Sequence, residues 1–139
     1  MHHIMIDLET LGVEQDAAII AIGACFFDPF SGKIGDEFTV KIEWESAMEG
    51  RSISASTVKW WSQQSVEAQK GVTDGKHSME QALRDFKYWA QIRASSTIRV
   101  WGNGATFDIT LLENAFKQYK IDPFWAFWAR VGGGVMPAS

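Results

Sequence analysis

The chain opens with an apolar run that ends in two acidic residues. Residues 3–8 read His-Ile-Met-Ile-Asp-Leu, and this run is apolar on both faces of an extended strand, which predicts a central strand of a sheet. Asp7 and Glu9 are two positions apart, so their side chains leave the strand on the same face. Two carboxylates held close together require a positive partner, and a divalent metal ion suits them because it prefers oxygen ligands. The run therefore predicts a strand that carries a metal-binding pair of acids at its end.

Length and charge narrow the classes of protein that fit. A chain of 139 residues forms one domain with a real core, and 46% apolar with 22% charged residues is typical of a globular protein. The formal net charge of −4 argues against a module that grips duplex nucleic acid through many phosphates. It does not argue against an enzyme whose metal ions carry the local positive charge.

Hydropathy and cysteine content bear on the compartment. No apolar stretch reaches the roughly 18 residues that span a bilayer, so we expect no membrane partner. The single Cys25 lies in an apolar run, and we expect it to be a small buried core residue. A reducing, cytoplasmic location fits this composition.

Apolar runs and alternation predict four strands. The first three, at residues 3–8, 17–27 and 37–43, follow one another closely and predict an antiparallel meander. A fourth strand is expected at 97–101. Strands that are followed by strand–helix units favour an α/β fold with a mixed sheet.

Helical signals lie between and after these strands. Residues 44–54 are expected to be a polar connection, followed by a short helix from about Ser56 to Gln64. A capping box at Ser78 and Gln81 opens an amphipathic helix with apolar residues spaced by three and four. A last helix is expected over about 106–119.

A third acid, Asp108, lies in the first turn of this last helix. Sites in open α/β sheets form at the carboxyl ends of strands, and Asp7, Glu9 and Asp108 all follow such ends. Neighbouring strands would bring the three carboxylates together. The simpler interpretation of Asp108 is that an acid is favoured at a helix N-terminus by the helix dipole.

Two motifs resemble a known family. Residues 7–10 (Asp-Leu-Glu-Thr) and 103–108 (Asn-Gly-Ala-Thr-Phe-Asp) resemble the first and second motifs of the DEDD 3′–5′ exonucleases. Residues 50–61 resemble the subgroup of small phage and prophage exonucleases, and the similarity covers roughly residues 3–128. The resemblance implies a ribonuclease H-like fold, in which helices flank a mixed sheet led by the antiparallel meander.

The same resemblance implies a metal-dependent reaction. Asp7, Glu9 and Asp108 would be catalytic metal ligands for two Mg²⁺ or Mn²⁺ ions, with Asp7 bridging the pair. The reaction implied is 3′–5′ hydrolysis of single-stranded DNA or RNA ends, which releases nucleoside 5′-monophosphates.

Four further residues are implied to contact the substrate. Thr10 and Leu11 would lie against the terminal nucleotide through backbone donors and apolar contact, and Asn103 and Phe107 belong to the second motif. Trp60 could stack on a base, whereas Trp61 is expected in the core.

The family's third motif is a His or Tyr, which acts as general base, followed by a fourth Asp, and it is missing here. Only 31 residues follow Asp108, and they contain no His. Tyr119 and Asp122 have the right residue types but lie too close together and too early. Residues 124–128 carry four large rings, and 129–139 show no helix or strand pattern. We therefore expect a C-terminally incomplete exonuclease-like domain over 1–128 and an irregular tail over 129–139.

Other interpretations stay open. A catalytically inactive remnant could bind nucleic acid or a protein partner without hydrolysis. A self-associating protein could bury the aromatic segment 124–128 against a second copy. Another phosphohydrolase of the same fold has no sequence feature of its own. Arg51 and Lys59 are expected to be solvated, with phosphate contact as the alternative.

Overall fold

The computed structural model describes residues 1–102, 107–126 and 129–131. These residues form five strands and five helices. In chain order they are β1 (His3–Thr10), β2 (Ile19–Phe27), β3 (Ile34–Lys41), α1 (Trp44–Met48), α2 (Ala55–Ser62), α3 (Val66–Thr73), α4 (Met79–Arg93), β4 (Arg99–Gly102), α5 (Phe107–Gln118) and β5 (Arg130–Val131). None of the described helices has the length and apolar character needed to cross a bilayer.

The strands form one mixed sheet in the order β3-β2-β1-β4-β5. β1, β2 and β3 pair in antiparallel fashion, which confirms the predicted meander. β4 lies parallel to β1 on its other side, and β5 continues the parallel half. β1 is therefore central, as its two-sided apolar pattern predicts.

The core lies between one face of this sheet and the helices packed on it. Ile4 and Ile6 of β1 point to this face and are fully buried. α4 covers it with the apolar stripe expected from its spacing, namely Met79, Ala82, Leu83, Phe86, Trp89 and Ala90. The amphipathic pattern of this helix is thus confirmed.

The cap of α4 forms only half of the predicted box. Ser78 Oγ accepts a hydrogen bond from the Gln81 backbone N–H at 3.1 Å, as a helix N-cap should. The Gln81 side chain does not return this bond, because its Nε2 donates to Asp85 Oδ1 at 2.7 Å. The helix start is correct, but the reciprocal contact is replaced by a pair one turn further on.

Cys25 is not a core residue, contrary to expectation. Alternate residues of β2, including Ile22 and Phe26, take the core side, so Cys25 points to the opposite face beside Met5. It is half-buried there. Loss of hydration and the nearby Glu37 raise the pKa of its thiol.

Several boundaries differ from the sequence prediction. The predicted polar connection contains α1, and α3 was not predicted. α1 has five residues and α3 has eight with none buried, so each is too short for its periodicity to identify a helix. β3 begins three residues earlier than expected, and the helix expected from Ser56 is α2, which begins at Ala55.

The C-terminal segment is partly ordered on the domain. Arg130 and Val131 pair with β4 as β5, so the prediction of irregular structure from residue 129 is wrong at these two positions. Two residues form a strand only because they pair with the free edge of β4, and a pairing of this kind leaves no pattern in the sequence. Residues 132–139 lie outside the described part of the chain.

The aromatic residues before β5 pack on their own chain. Phe124 meets Phe86 edge to face with ring centroids 5.0 Å apart, and Trp125 meets Phe116 at 5.8 Å. Trp125 Nε1 also donates to Glu113 Oε2 at 2.9 Å. These two rings therefore need no second copy for burial; Phe127 and Trp128 lie outside the described residues.

Candidate active site

The acidic pair lies where β1 leaves the sheet. Asp7 and Glu9 are both exposed and share the face of β1 opposite the core. Their cross-strand partners on β2 are Gly23 and Ala21, the two smallest residue types. Small partners leave the space beside the two carboxylates open. The expected same-face acidic pair is thus present, with room for a ligand.

Asp108 reaches the same edge of the sheet from a different element. β4 runs parallel to β1, with Ile6 opposite Gly102, and α5 begins at Phe107 shortly beyond it. Asp108 is 8% exposed and is the one buried charged residue in the described ranges. The first turn of a helix favours an acid because the unpaired N–H groups and the dipole lie there.

The structure does not gather the three acids into a ready metal cage. Within the described residues, no three His, Cys, Asp or Glu side chains lie close enough to hold one ion. Two exposed carboxylates on one strand and a buried one on the adjoining helix are nevertheless hard oxygen donors of the kind that Mg²⁺ and Mn²⁺ accept. The donor chemistry fits a divalent cation, and Asp108 must approach the pair for all three to bind it.

The residues that were implied to contact the substrate lie in different environments. Thr10 is half-buried, and its Oγ1 donates to the Gly12 carbonyl at 3.0 Å. Phe107 is half-buried at the start of α5. Asn103 lies outside the described residues.

Leu11 cannot make the expected apolar contact in this conformation. Its side chain is completely buried in the core. Its backbone is also occupied, because the N–H donates to Ala18 O at 2.9 Å and the carbonyl accepts from Ser54 N at 2.8 Å. Leu11 therefore anchors the chain after the acidic pair, and Thr10 is the nearer of these two residues to the surface.

Gly12 permits a close approach of two segments beside the acids. A Cβ at Gly12 would lie 3.0 Å from Ala17 Cβ and 3.2 Å from the Ser52 carbonyl oxygen. Such distances are tighter than ordinary packing, so a larger residue would push the extended segment 52–54 away. The loop after β1, which lies shortly after Asp7 and Glu9 in the chain, is thus closely packed against this segment.

Arg51 is the main residue that sequence reasoning missed. It was expected to be solvated, but its guanidinium turns inward and binds Ala17 O and the side chains of Asn114 and Gln118. Burial lowers its pKa from the usual arginine value, and the nearby Asp16 opposes that effect. The partners are far apart in sequence, so no local pattern could have indicated them.

Tyr119 and Asp122 are placed away from the acids, which agrees with their rejection as the third motif. They follow the C-terminal end of α5, whereas Asp108 lies at its start. Tyr119 lies eleven positions after Asp108, which corresponds to a rise of about 16 Å along a helix. Burial and the nearby Glu49 raise the pKa of the Tyr119 hydroxyl, which disfavours the phenolate that could act as a base.

The two tryptophans of α2 divide as predicted. Trp61 is half-buried, packs on the core and lines a cavity of about 170 Å³ together with Trp44 and Val72. Trp60 is 53% exposed and meets Trp61 edge to face, with centroids 4.7 Å apart. Trp60 is thus the ring of the two that is available to a ligand.

Known proteins resemble this chain in sequence. The family described as the 3′–5′ exoribonuclease Rv2179c-like domain matches residues 2–132. An exodeoxyribonuclease of Enterobacteria phage T4 is 26% identical over 152 aligned positions, which cover 90% of this chain and 67% of the phage protein.

Solved structures resemble the fold. The nuclease domain of 3′hExo, a DEDDh family member bound to rAMP, aligns with a TM-score of 0.60 and 13% identity, covering 90% of this chain and 62% of that domain. Exonuclease I of E. coli in complex with a dT13 oligonucleotide aligns with a TM-score of 0.66 and 14% identity, covering 94% of this chain and 27% of that one. At these identities the likeness concerns the fold, and the chain spans less than two thirds of either structure.

Proposed function

Because the chain belongs to the Rv2179c-like family of DEDD-type 3′–5′ exonuclease domains, we propose that it hydrolyses single-stranded nucleic acid from the 3′ end. The observation that carries this proposal is the exposed pair Asp7 and Glu9 at the open end of the central strand, with Asp108 on the helix that follows the neighbouring parallel strand. A strand end of this kind is where open α/β sheets place their active sites.

Divalent metal ions are part of the proposal. Asp7 and Glu9 would hold Mg²⁺ or Mn²⁺ directly, and Asp108 would complete the ligand set. When bound, the ion supplies the positive charge that stabilises a phosphodiester under attack by water. Glu14 and Asp16 are exposed in the loop after β1 and add negative charge to this part of the chain.

The substrate is proposed to be single-stranded, on the basis of the site's surroundings and of related proteins. The matched family is named for exoribonuclease activity, whereas the phage relative is an exodeoxyribonuclease, so both strand chemistries belong in the test. Thr10 and Phe107 flank the acids and are proposed to contact the terminal nucleotide. Trp60 offers an exposed ring on which a further base could stack.

The proposed activity is slow, because the described residues offer the acids no evident general base. His2 and His3 lie at the opposite end of β1 from Asp7, and His77 joins the outer edge of the meander beside Ile42. A missing general base costs about 10²- to 10⁴-fold in rate. Hydroxide or a residue outside the described part of the chain must then accept the proton.

Digestion of labelled strands tests the proposal. Single-stranded DNA and RNA with a 5′ label are incubated with the protein and Mn²⁺, and the product lengths are followed over time. We expect a ladder that shortens from the 3′ end, and Asp7→Asn should reduce its rate at least about a hundredfold, the usual effect of losing one group that stabilises transition-state charge. Glu37→Gln is the matched control, because Glu37 is an exposed strand carboxylate away from this edge.

The contrary outcomes are clear. Internal cleavage without a 3′ ladder would exclude exonucleolytic polarity. Equal rates in the wild type and Asp7→Asn would show that the digestion does not use Asp7 and would contradict the proposed site.

A second candidate is a binding module without hydrolysis. It is favoured by one observation: the described acids do not form a three-ligand metal group. This alternative predicts that labelled strands bind, by anisotropy, but stay intact with Mn²⁺ at any protein concentration. Binding that persists in Asp7→Asn, with no products from the wild type, would support it.

A further inference from the structure

We propose that Arg51 is a positioning residue for this active site, which holds α5 and therefore Asp108 in register with the acidic pair on β1. The inference rests on the proposed function and assigns a role in it to a residue that touches neither metal nor substrate. It follows from the hydrogen bonds by which the Arg51 side chain joins the loop after β1 to α5.

The guanidinium of Arg51 bridges two segments that are distant in sequence. Its Nε and Nη2 donate to the Ala17 carbonyl oxygen at 3.1 Å and 3.0 Å. Its Nη1 donates to Asn114 Oδ1 and, at 3.2 Å, to Gln118 Oε1. One side chain thus uses three of its nitrogen atoms to connect the loop after β1 with α5.

The loop side of this bridge leads directly to the acids. Ala17 pairs with Ser52 in an isolated parallel β-bridge, and Ala18 N donates to Ser52 O at 2.9 Å. Ser52 Oγ donates to Asp16 Oδ1 at 2.7 Å. Leu11 N donates to Ala18 O, so the strand that carries Asp7 and Glu9 continues into this bonded unit.

The helix side of the bridge fixes the position of α5. Asn114 and Gln118 are one turn apart and face the same direction, so binding both sets the rotation and the axial position of the helix. Gln118 Nε2 also donates to Glu49 O at 2.9 Å, just before Arg51. Asp108 lies six residues before Asn114, about 9 Å along a rigid helix, so a shift at the bridge moves its carboxylate.

The hydrogen-bond partners of Arg51 indicate that it orients the two segments and does not serve as an ion-pair partner in the described part of the chain. Its hydrogen bonds go to neutral oxygens, and within the described residues no carboxylate lies within ion-pair distance of it. A planar fork of five N–H donors can reach a carbonyl and two amide oxygens at once, whereas a lysine ammonium is a single point. Asp108 lies on α5 and the acidic pair on β1, so the links that fix α5 also set the position of its carboxylate relative to the pair.

Arg51→Lys tests this role because it keeps the charge and removes the fork. Arg84→Lys is the matched control, since Arg84 pairs with Glu80 on the exposed side of α4. Hydrogen exchange of the metal-free proteins should be faster in the loop 11–18 and in α5 for Arg51→Lys only. Mn²⁺ affinity measured by calorimetry should fall about tenfold or more, the usual effect of losing a residue that orients a ligand. kcat should fall more than KM rises.

The outcomes separate the inference from the proposed function. Faster exchange together with unchanged Mn²⁺ affinity and kcat would make Arg51 merely structural and overturn the inference. A wild-type protein that neither binds Mn²⁺ nor digests DNA or RNA would refute the proposed function and this role with it. If Arg51→Lys does not fold, the double variant Asn114→Ala/Gln118→Ala removes both α5 partners of Arg51 at exposed positions, and unchanged Mn²⁺ affinity in that variant overturns the inference.

Discussion

The ionisable side chains at the two ends of β1 lie in different environments. Asp7 and Glu9 are exposed at one end, whereas His3 at the other end accepts a hydrogen bond through Nδ1 from Trp101 Nε1 at 3.0 Å. Only a neutral imidazole can accept at that nitrogen. Desolvation and the neighbouring His2 and Arg99 lower the pKa of His3 below its usual 6.5.

This lowered pKa predicts acid destabilisation. The unfolded chain binds the proton first as pH falls below about 6.5, so the stabilisation from His3 is present above that pH and is lost as pH falls toward the native pKa. His3→Asn keeps an acceptor near the same place without titrating. Its unfolding temperature should therefore decline less than that of the wild type between pH 7.5 and pH 5. A decline as steep as in the wild type would contradict this assignment, and His77→Asn, at an exposed residue, is the control.

Gly71 and Gly75, inside and just after α3, differ in the space that is available for a larger side chain. A Cβ at Gly75, just after α3, would collide with the backbone of Ile42, which follows β3. At Gly71, inside α3, an added Cβ would meet nothing within 4 Å. The two positions therefore respond oppositely to the same change.

Gly75→Ala should lower the free energy of unfolding by about 1–3 kcal/mol, because backbone must move to admit the methyl group. Gly71→Ala should raise it by about 0.5–1 kcal/mol, because glycine costs conformational entropy in a helix interior. Urea unfolding followed by circular dichroism measures both. Destabilisation by Gly71→Ala, or a neutral Gly75→Ala, would show that the connection is packed differently.

Elements with a strong pattern were predictable, and short ones were not. The meander follows from apolar runs and alternation, and α4 follows from spacings of three and four that extend over many residues. α1 and β5 have five and two residues, so their form depends on the sheet edge and helices that receive them. A local sequence pattern carries little information about such long-range contacts.

At the scale of the whole molecule, the C-terminal segment packs on α5. Trp125 is 6% exposed and packs on Phe116, and its indole N–H binds Glu113. Glu113 also pairs with Arg130 at 3.1 Å. α5 is thus attached to β5 through Glu113 and to the loop after β1 through Arg51.

Trp125→Ala should therefore destabilise the entire domain. We expect a loss of about 3–5 kcal/mol, the usual cost of truncating a buried tryptophan. Trp60→Ala is the control, and at its exposed position the loss should stay below about 1 kcal/mol. Equal effects in urea unfolding would mean that the C-terminal segment does not pack on α5 in solution.

Local sequence pattern predicted on which elements the candidate acids lie. Strand parity predicted that Asp7 and Glu9 share one face of β1, and the pattern placed Asp108 at a helix start just past a strand. The burial of Leu11 and the inward turn of Arg51 were not predicted, because their hydrogen-bond partners lie 7 to 67 positions away in the chain. Long-range packing therefore decides which of the predicted residues can reach a ligand.

Asp7, Glu9 and Asp108 are proposed to bind the catalytic metal together. The most direct measurement is an anomalous difference map from crystals of the protein soaked in Mn²⁺. We expect a peak in contact with Asp7 and Glu9, with the Asp108 carboxylate turned toward it and no such peak in Asp7→Asn crystals. A map at saturating Mn²⁺ with no peak beside Asp7 and Glu9 would contradict the account.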